Sequence, residues 1–534
     1  MEKLPLHTAL SNKASADAIA VLLASDNDVA RIVDVDGQVA LHIACVAQAS
    51  CEVITALLSA NTQGACAVDS SGRLPLHVAC ASQAPVEVIS ALLSANPDGV
   101  QATNCDSQLP LHVACSFQAS AEVVSTILNA YREGAQALDN LGRLPLHTAC
   151  ACQASVDVVT ILLKEYPEGI GSLNKYDQLP LHLACANQAH DDIVPALLAV
   201  NPAGAGVCDS NDRLPLHFAC ARKASIKVVA ALLAGFEDGA CTRNRYGKLP
   251  LHIACASGAS TEVLSALLVA HRGSGGIKDS DGLLPLHLAC SNQSPLDVVS
   301  LLLAAHPQGA QTIERHGQLP LHFACANKSS IDIVDALIAA FPDGAQCKVE
   351  DGAPDGQLPL HVACASGAPL PVIAALLAAF GEGAAVCDRD GQLPLHLACA
   401  NHASVEVVQA LLVAYGDGRR TTDPEGRLPL HWASANQASL QVVSALLTAN
   451  IKAARKKDSD GRLPLHSAGT THSSVEMITA LLAAYDGARR IKDNYGQAPF
   501  DIATDHKAPT TVLALMSPDA NGLRFVGNPS CRVS

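Results

Sequence analysis

Fourteen histidines recur in one phase of the 534-residue sequence and are the first residues to test for chemistry. Consecutive members stand 35 residues apart, except for one step of 39 residues between His322 and His361. A ladder of histidines could bind metal or move protons, but we find no carboxylate beside it at a matched spacing. No Ser/His/Asp set, phosphate-cradling glycine loop or carboxylate pair stands out either. We therefore expect a structural role for the ladder, and no enzymatic activity or cofactor. The phased histidines include His7, His42, His77, His112, His147, His182, His217, His252, His287, His322, His361, His396, His431 and His466.

Cysteines form a second periodic set, because eleven of the 20 follow the histidine by three residues. A small helix position of this kind suits Cys as a small hydrophobe. Equivalent helices in neighbouring repeats would lie about 10 Å apart, beyond the Cα limit of about 7 Å for a disulfide. No CxxC pair is present, which argues against zinc. Reduced thiols in a cytoplasmic or nuclear protein are expected. These cysteines are Cys45, Cys80, Cys115, Cys150, Cys185, Cys220, Cys255, Cys290, Cys325, Cys364 and Cys399.

The elements that position these residues form an internal repeat. The tetrapeptide Leu-Pro-Leu-His, or a near copy, ends at each phased histidine, and Asp501 takes the same phase in a last copy. A fixed period of this kind indicates a stacked array, here of fifteen units. The 39-residue step predicts one four-residue insertion near 350–355.

One repeat, residues 69–103, shows the predicted local structure. Residues 69–73 make a tight turn, and Pro75 opens a first helix where its missing N–H costs nothing. Residues 86–95 make a second helix with apolar residues at helical spacing. In most repeats a serine caps this second helix, as Ser155 and Ser260 do. Residues 96–99 end it.

Composition supports stacked helices rather than several globular domains. Hydrophobic residues make up 49 % of the chain but aromatic residues only 3 %, so the core must consist of small and aliphatic side chains. Neither short helix can bury its apolar stripe alone, and stacking buries each stripe on the next repeat. No apolar run is long enough for a membrane span. The formal charge of −15 argues against nucleic acid as the main partner.

The turn, the Pro-Leu-His-x-Ala start of the first helix and the Val-Val-x-x-Leu-Leu second helix together resemble the ankyrin repeat. The resemblance implies an all-α fold with short β-hairpins or extended loops: an ankyrin-repeat solenoid of about 15 helix-turn-helix units over residues 1–516. It implies binding of protein partners on the concave face formed by hairpin tips and first helices. It also implies that the histidine fixes the helix start and forms hydrogen bonds within or between repeats.

Three features depart from the family pattern. The Thr before Pro is Leu in almost every repeat, as at Leu74 and Leu144, so a hydroxyl cap is absent, and we expect apolar contact under the hairpin to compensate. Gly-His between the helices is replaced by Gln-Ala, as at Gln83-Ala84. The period is also two residues longer than the usual 33.

Binding specificity is expected at the few variable positions of this uniform framework, because exposed aromatic side chains are frequent interface anchors. The alternative is that each is an idle surface residue. We interpret three other aromatic residues, which directly follow the histidine of their repeats, as core or inner-face residues. They are Phe218, Phe323 and Trp432. The candidate contacts are Phe117, Leu141, Tyr176, Tyr246, His316 and Tyr495.

Residues 517–534 are expected to form a flexible tail, which ends in Cys531-Arg-Val-Ser. This ending matches the pattern for farnesylation. Two other functions therefore stay open beside a monomeric protein-binding scaffold. One is a peripheral membrane adaptor farnesylated at Cys531, and the other is an elastic or spacing element. In the adaptor, the basic last three repeats would face anionic lipid. Their cations are Arg419, Arg420, Arg427, Lys452, Arg455, Lys456, Lys457, Arg462, Arg489, Arg490 and Lys492.

Overall fold

A computed structural model describes residues 5–25, 27–349, 356–470 and 473–519. Within these ranges the chain forms thirty α-helices in two compact units, Met1–Ser274 and Gly275–Ser534. The predicted insertion at 350–355 and Cys531 lie outside the described residues. None of the described helices is both long and apolar enough to cross a membrane.

The first unit contains sixteen helices, which alternate between short first helices and longer second helices. They are α1 (Pro5–Ser11), α2 (Ala16–Ser25), α3 (Ala40–Val46), α4 (Cys51–Ala60), α5 (Pro75–Ala81), α6 (Val86–Ala95), α7 (Pro110–Ser116), α8 (Ala121–Ala130), α9 (Pro145–Ala151), α10 (Val156–Glu165), α11 (Pro180–Ala186), α12 (Ile193–Val200), α13 (Pro215–Ala221), α14 (Ile226–Gly235), α15 (Pro250–Ser257) and α16 (Thr261–Ala270).

The second unit repeats the same alternation over fourteen helices. They are α17 (Pro285–Ser291), α18 (Leu296–Ala305), α19 (Pro320–Ala326), α20 (Ile331–Ala340), α21 (Pro359–Ser366), α22 (Leu370–Ala379), α23 (Pro394–Ala400), α24 (Val405–Ala414), α25 (Pro429–Ala435), α26 (Leu440–Ala449), α27 (Pro464–Gly469), α28 (Val475–Ala484), α29 (Pro499–Asp505) and α30 (Thr510–Met516).

The predicted helices of the repeat at 69–103 are confirmed by α5 and α6. Pro75 is the first residue of α5, and its fixed φ and missing N–H suit that position. Serine caps appear on the second helices, where Ser155 Oγ accepts the backbone N–H of Val158 at 3.3 Å. A short 3₁₀ helix that the sequence pattern did not predict, Pro97–Gln101, follows α6, and equivalents follow every other second helix of the described residues except α30.

Stacking of equivalent helices builds the core of each unit. Helix α5 packs against α7, and α6 packs against α8. Leu76 of α5 and Val88, Ile89 and Leu92 of α6 are buried. Because these side chains come from both helices of the repeat, each repeat hides its apolar stripes on its neighbours.

The loops before the first helices are extended and contain tight turns. Asp69 and Arg73 close one such turn through a 3.0 Å backbone hydrogen bond from the Asp69 N–H to the Arg73 carbonyl. No strand forms in the described residues, and one isolated antiparallel bridge joins Val33 and Val39. The sequence predicted either short β-hairpins or extended loops at these positions, and the described residues show extended loops.

Candidate functional site

The buried histidine of each repeat holds its own helix start and, in most repeats of the first unit, the next repeat as well. His77 Nδ1 accepts the backbone N–H of Leu74 at 3.1 Å. Nε2 of the same ring lies 3.0 Å from the carbonyl oxygen of Gln108 in the following repeat. The Nδ1 bond recurs from His42 to His466, whereas the Nε2 atoms of four histidines of the second unit make no hydrogen bond. Those four are His287, His322, His396 and His466.

This geometry requires a neutral imidazole. Since Nδ1 must accept the Leu74 N–H, the single ring proton sits on Nε2 and is donated to the Gln108 carbonyl. Burial lowers the pKa of His77 to about 4, although the backbone carbonyls oppose this shift. The pKa values of His147 and His217 are lowered to about 4 for the same reason. Both nitrogens are therefore occupied inside the protein.

A carboxylate does recur at a fixed spacing from the histidine, and the expectation of none was wrong. It stands eight residues earlier, for example Asp69 before His77. Asp69 Oδ1 accepts the backbone N–H groups of Ser71 and Arg73 at 2.9 Å each, and Oδ2 pairs with the Arg73 guanidinium at 2.8 Å. One repeat later, Asn104 Oδ1 accepts the equivalent backbone N–H groups, those of Asp106 and Gln108. Because an asparagine amide can replace the carboxylate in these hydrogen bonds, we assign the residue at this phase to stabilising the turn rather than to catalysis.

The Gln-Ala departure from the family pattern has a structural explanation. Gln83 adopts a left-handed φ of 57°, a conformation that favours glycine. Its Nε2 donates to the carbonyl of Phe117, the residue that ends the next first helix, at 2.6 Å. Five further glutamines donate in the same way to the residue 34 positions on: Gln48, Gln118, Gln153, Gln188 and Gln293.

The leucine that replaces the family's threonine is buried. Leu74 is 4 % exposed and makes no side-chain hydrogen bond at the helix start. A β-carbon on Gly99 would lie 3.2 Å from Leu74 Cδ1, so this side chain packs under the 3₁₀ helix of its own repeat. The N–H of Leu74 is satisfied by the histidine instead of a hydroxyl cap.

The six sequence-predicted contact residues are all exposed. Leu141, Tyr176, Tyr246, His316 and Tyr495 lie at turn tips, and Phe117 lies at the end of α7. The N–H of Lys175, which precedes Tyr176, donates to the Leu141 carbonyl at 3.0 Å, so these two tips are neighbours. Phe117 is not at a tip. His316 and Tyr495 lie in the second unit, and the other four lie in the first.

Four exposed aliphatic side chains of the first unit were missed by the sequence prediction. They share one phase, nine residues before the histidine, where the chain enters the extended loop. The available signal was their 35-residue spacing, which is hidden because other repeats of this unit place Thr, Cys or Arg at the same phase. The four are Val33, Val68, Leu138 and Leu173.

A cavity of 410 Å³ opens between turn tips and first helices in the second unit, beside Trp432. Trp432 is half-buried, and its Nε1 donates to Asp423 Oδ2 at 3.0 Å. The guanidinium of Arg427 lies 4.3 Å from the indole centroid. Phe218 and Phe323 are also half-buried, in equivalent positions of other repeats. The cavity also borders Arg462 and Asp458.

The basic residues of the last repeats divide between two places. Arg427 and Arg462 belong to the turns that border the cavity. The other nine lie in or just after the 3₁₀ helices Gly416–Arg419, Ile451–Arg455 and Asp486–Arg490, and we call them the basic edge. Those segments hold two carboxylates, Asp417 and Asp486. The basic edge comprises Arg419, Arg420, Lys452, Arg455, Lys456, Lys457, Arg489, Arg490 and Lys492.

The described residues hold no group of three or more His, Cys, Asp or Glu side chains that could bind a metal ion. The cysteines of the periodic set are free and buried. Burial raises the pKa of the Cys45 and Cys150 thiols to about 12, so they carry little thiolate at neutral pH.

A family model described as ankyrin repeats (3 copies) matches residues 6–102, 85–177, 181–275, 262–351, 331–417, 360–458 and 401–489. Among solved structures, the chain is similar to the ankyrin repeat domain of Bcl-3, a unique member of the IkappaB protein family. The identity is 24 % over 43 % of this chain and 98 % of that one, with a TM-score of 0.35. No curated protein sequence matches the chain.

Proposed function

Because the chain belongs to the ankyrin-repeat family, we propose that it is a non-catalytic scaffold that binds protein partners through turn tips and first helices. Ankyrin repeats are generally protein–protein interaction modules. The observation that supports the proposal is that each repeat contains two kinds of position, one structural and one exposed. Framework side chains such as His77, Asp69 and Gln83 form internal hydrogen bonds, whereas the exposed positions vary.

The exposed turn residues supply the contact surface in this proposal. Tyr176 and Tyr246 are 53 % and 58 % exposed, and their rings can be buried by a partner without unfolding the turn. Their backbones are fixed by Asn174 and Asn244, whose Oδ1 atoms accept the N–H of the tyrosine at 2.8 Å and 3.0 Å. Aromatic anchors on a fixed backbone bind at a low entropic cost.

Affinity capture from a native lysate with mass spectrometry tests this proposal. The full chain is compared with a variant that combines Phe117→Ala, Tyr176→Ala and Tyr246→Ala. We expect recovery of a specific partner to fall by about tenfold or more. The matched control is Val269→Ala, which truncates an exposed apolar residue on α16, a second helix of the same unit. A partner recovered equally by the triple variant would refute these contacts.

The basic edge favours a second candidate function, a peripheral membrane adaptor. Arg420, Lys452 and Lys456 are exposed and form no ion pair with any residue in the described ranges. Cations clustered this way attract anionic lipid, each contributing about 1 kcal/mol near the surface. A farnesyl group on Cys531, outside the described residues, would supply the second signal that stable anchoring needs.

Intact mass of the protein from eukaryotic cells tests the adaptor. A farnesyl adduct that Cys531→Ser removes is required. The chain should also bind vesicles that contain phosphatidylserine and release from them when Lys452, Lys456 and Lys457 are changed to Gln. An unmodified C-terminus would exclude this function.

A further inference from the structure

Asp458 differs from its counterparts in other repeats although the local sequence is the same. Five repeats place Asp and, four residues later, Arg in the turn. In four of them the two side chains form an ion pair of 2.7–2.8 Å, as Asp423 does with Arg427. In the fifth, Arg462 reaches Asp493 of the next repeat at 3.4 Å and Asp460 at 3.6 Å instead. The turn of Asp493 has Gln497 in place of Arg, so that carboxylate has no arginine of its own.

Asp458 is consequently left without a cation. Its Oδ1 accepts the backbone N–H of Arg462 at 2.7 Å, but it has no ion pair with any described residue. Burial, with help from the nearby Asp460, raises the pKa of Asp458. In contrast, the pKa values of Asp69 and Asp139 are lowered, since hydrogen bonds from Arg73 and Arg143 outweigh the effect of burial. No ion pair with a described residue therefore neutralises Asp458, and the effects of Arg462 that lower its pKa are smaller than those that raise it.

The Asp458 carboxylate, which forms no ion pair with a described residue, borders the 410 Å³ cavity together with the half-buried indole of Trp432. A carboxylate beside an aromatic ring is the combination that holds a cationic side chain, through an ion pair and a cation–π contact. Two more carboxylates, Glu425 and Asp460, stand at the rim. The chain itself already shows the ring's affinity for a cation, because Arg427 stacks on it at 4.3 Å.

We propose that this cavity is a specificity pocket that receives an arginine or lysine side chain from an extended segment of a protein partner. This deepens the proposed scaffold function and rests on it. The cation would pair with Asp458 and contact Trp432. It adds a site that the six sequence-predicted contacts do not include.

An anionic group suits the same cavity less well. Both arginines at its border are already paired, Arg427 with Asp423 at 2.8 Å and Glu425 at 3.0 Å. Arg462 is shared between Asp493 and Asp460. An incoming carboxylate or phosphate would have to displace these partners and would face Asp458, whereas a cation can pair with Asp458 without breaking an existing ion pair of that carboxylate.

Trp432 is the single tryptophan of the chain, so its fluorescence reports directly on the pocket. The full-length protein is titrated with N-acetyl-arginine amide and N-acetyl-lysine amide, with N-acetyl-glutamate amide as the anionic probe. We expect a saturable change with a cationic probe and none with the anionic one. Asp458→Asn should weaken binding of the cation by about fivefold.

Asp458→Asn is a clean variant because asparagine naturally occupies this phase at Asn104, where it accepts the same turn N–H groups. The matched control is Asp388→Asn, which has the same phase but does not border the cavity. It should bind the cation like the unchanged protein. Circular dichroism verifies that both variants keep their helices.

Three outcomes would each overturn the pocket proposal. They are saturation by the anionic probe, no saturable response to either cationic probe, and equal binding of the cation by the Asp458→Asn variant. These results are distinguishable from failure of the scaffold function. If partner capture depends on the turn tips but Trp432 fluorescence does not respond to the cationic probes, the pocket proposal alone is refuted. A normal response of Trp432 with no partner captured would remove the scaffold function and leave only the binding of a cation beside Trp432.

Discussion

His77 joins its repeat to the next one, since its Nε2 donates to the carbonyl oxygen of Gln108, 31 residues along the chain, at 3.0 Å. The other ring nitrogen accepts the N–H of Leu74. One uncharged side chain therefore forms a hydrogen bond with a backbone group in each of two repeats. Stability between repeats depends on the ring staying neutral, because a protonated ring has no acceptor for the Leu74 N–H.

Acid should weaken the array well above the pH at which carboxylates titrate. Histidines such as His77, His147 and His217 have a pKa of about 4 in the folded chain, against about 6.5 when unfolded. Above pH 6.5 both states are neutral and the full stability is present. Between pH 6.5 and about 4 only the unfolded chain takes up these protons, so each histidine removes up to about 1.4 kcal/mol per pH unit. Urea midpoints measured by circular dichroism should fall from pH 7 to pH 5. An unchanged midpoint would contradict the neutral ladder.

Truncating the histidine should loosen two repeats at once. His77→Ala leaves the Leu74 N–H buried without a partner and removes one of the two hydrogen bonds to the Gln108 carbonyl, which still accepts the Asn104 N–H. We expect a cost of about 3 kcal/mol. His77→Asn is the matched comparison, since Asp501 holds this phase in the last repeat and accepts the N–H of Ala498 at 2.8 Å. We expect the Asn variant to lose about half as much. Hydrogen exchange of peptides covering 70–115 measures both. Equal protection in the two variants would mean that the Leu74 bond contributes nothing.

The helices of the repeat could be predicted from the sequence because their signals are local. Pro75 and the apolar spacing of residues 86–95 determine α5 and α6 within one repeat. The 3₁₀ helix at 97–101 was missed because its i to i+3 bonds leave no apolar period. Its sequence, Pro-Asp-Gly, indicated only the end of α6.

The cavity beside Trp432 could not be predicted, because its chemistry is decided in another repeat. Asp458 forms no ion pair with a described residue because the Arg462 side chain pairs with Asp493 of the next repeat instead. Asp493 is free to accept Arg462 because its own turn has the uncharged Gln497 where other turns have arginine. A reading of each repeat alone assigns Arg462 to Asp458, as in the four other repeats with this pair. The turn aspartates were missed for a related reason, since Asn and Glu alternate with Asp at that phase.

The periodic cysteines should resist alkylation in the folded protein. The Cys45 and Cys150 thiols have a pKa of about 12 through burial, which leaves about a thousandfold less thiolate than an ordinary cysteine. Cys66 and Cys105 are exposed and provide internal controls. Iodoacetamide at mildly alkaline pH, followed by peptide mapping, should label the exposed pair first. Equal rates for both sets in the native protein would show that the first helices open readily.

The glutamine that replaces the family's glycine balances two opposing energies. Gln153 has a φ of 59°, which costs a non-glycine residue about 1 kcal/mol. Its Nε2 donates to the Asn187 carbonyl of the next repeat at 2.6 Å, and such a bond stabilises by about 1 kcal/mol. Gln153→Ala keeps the strain and loses the bond, so it should destabilise by about 1 kcal/mol. Gln153→Gly loses both and should be nearly neutral, as two repeats that place Gly258 and Gly367 at this phase with φ of 74° and 71° indicate. Thermal unfolding of the two variants decides the point. A glycine variant less stable than the alanine variant would show that the backbone is not strained here, and that glutamine was retained for its hydrogen bond to the next repeat alone.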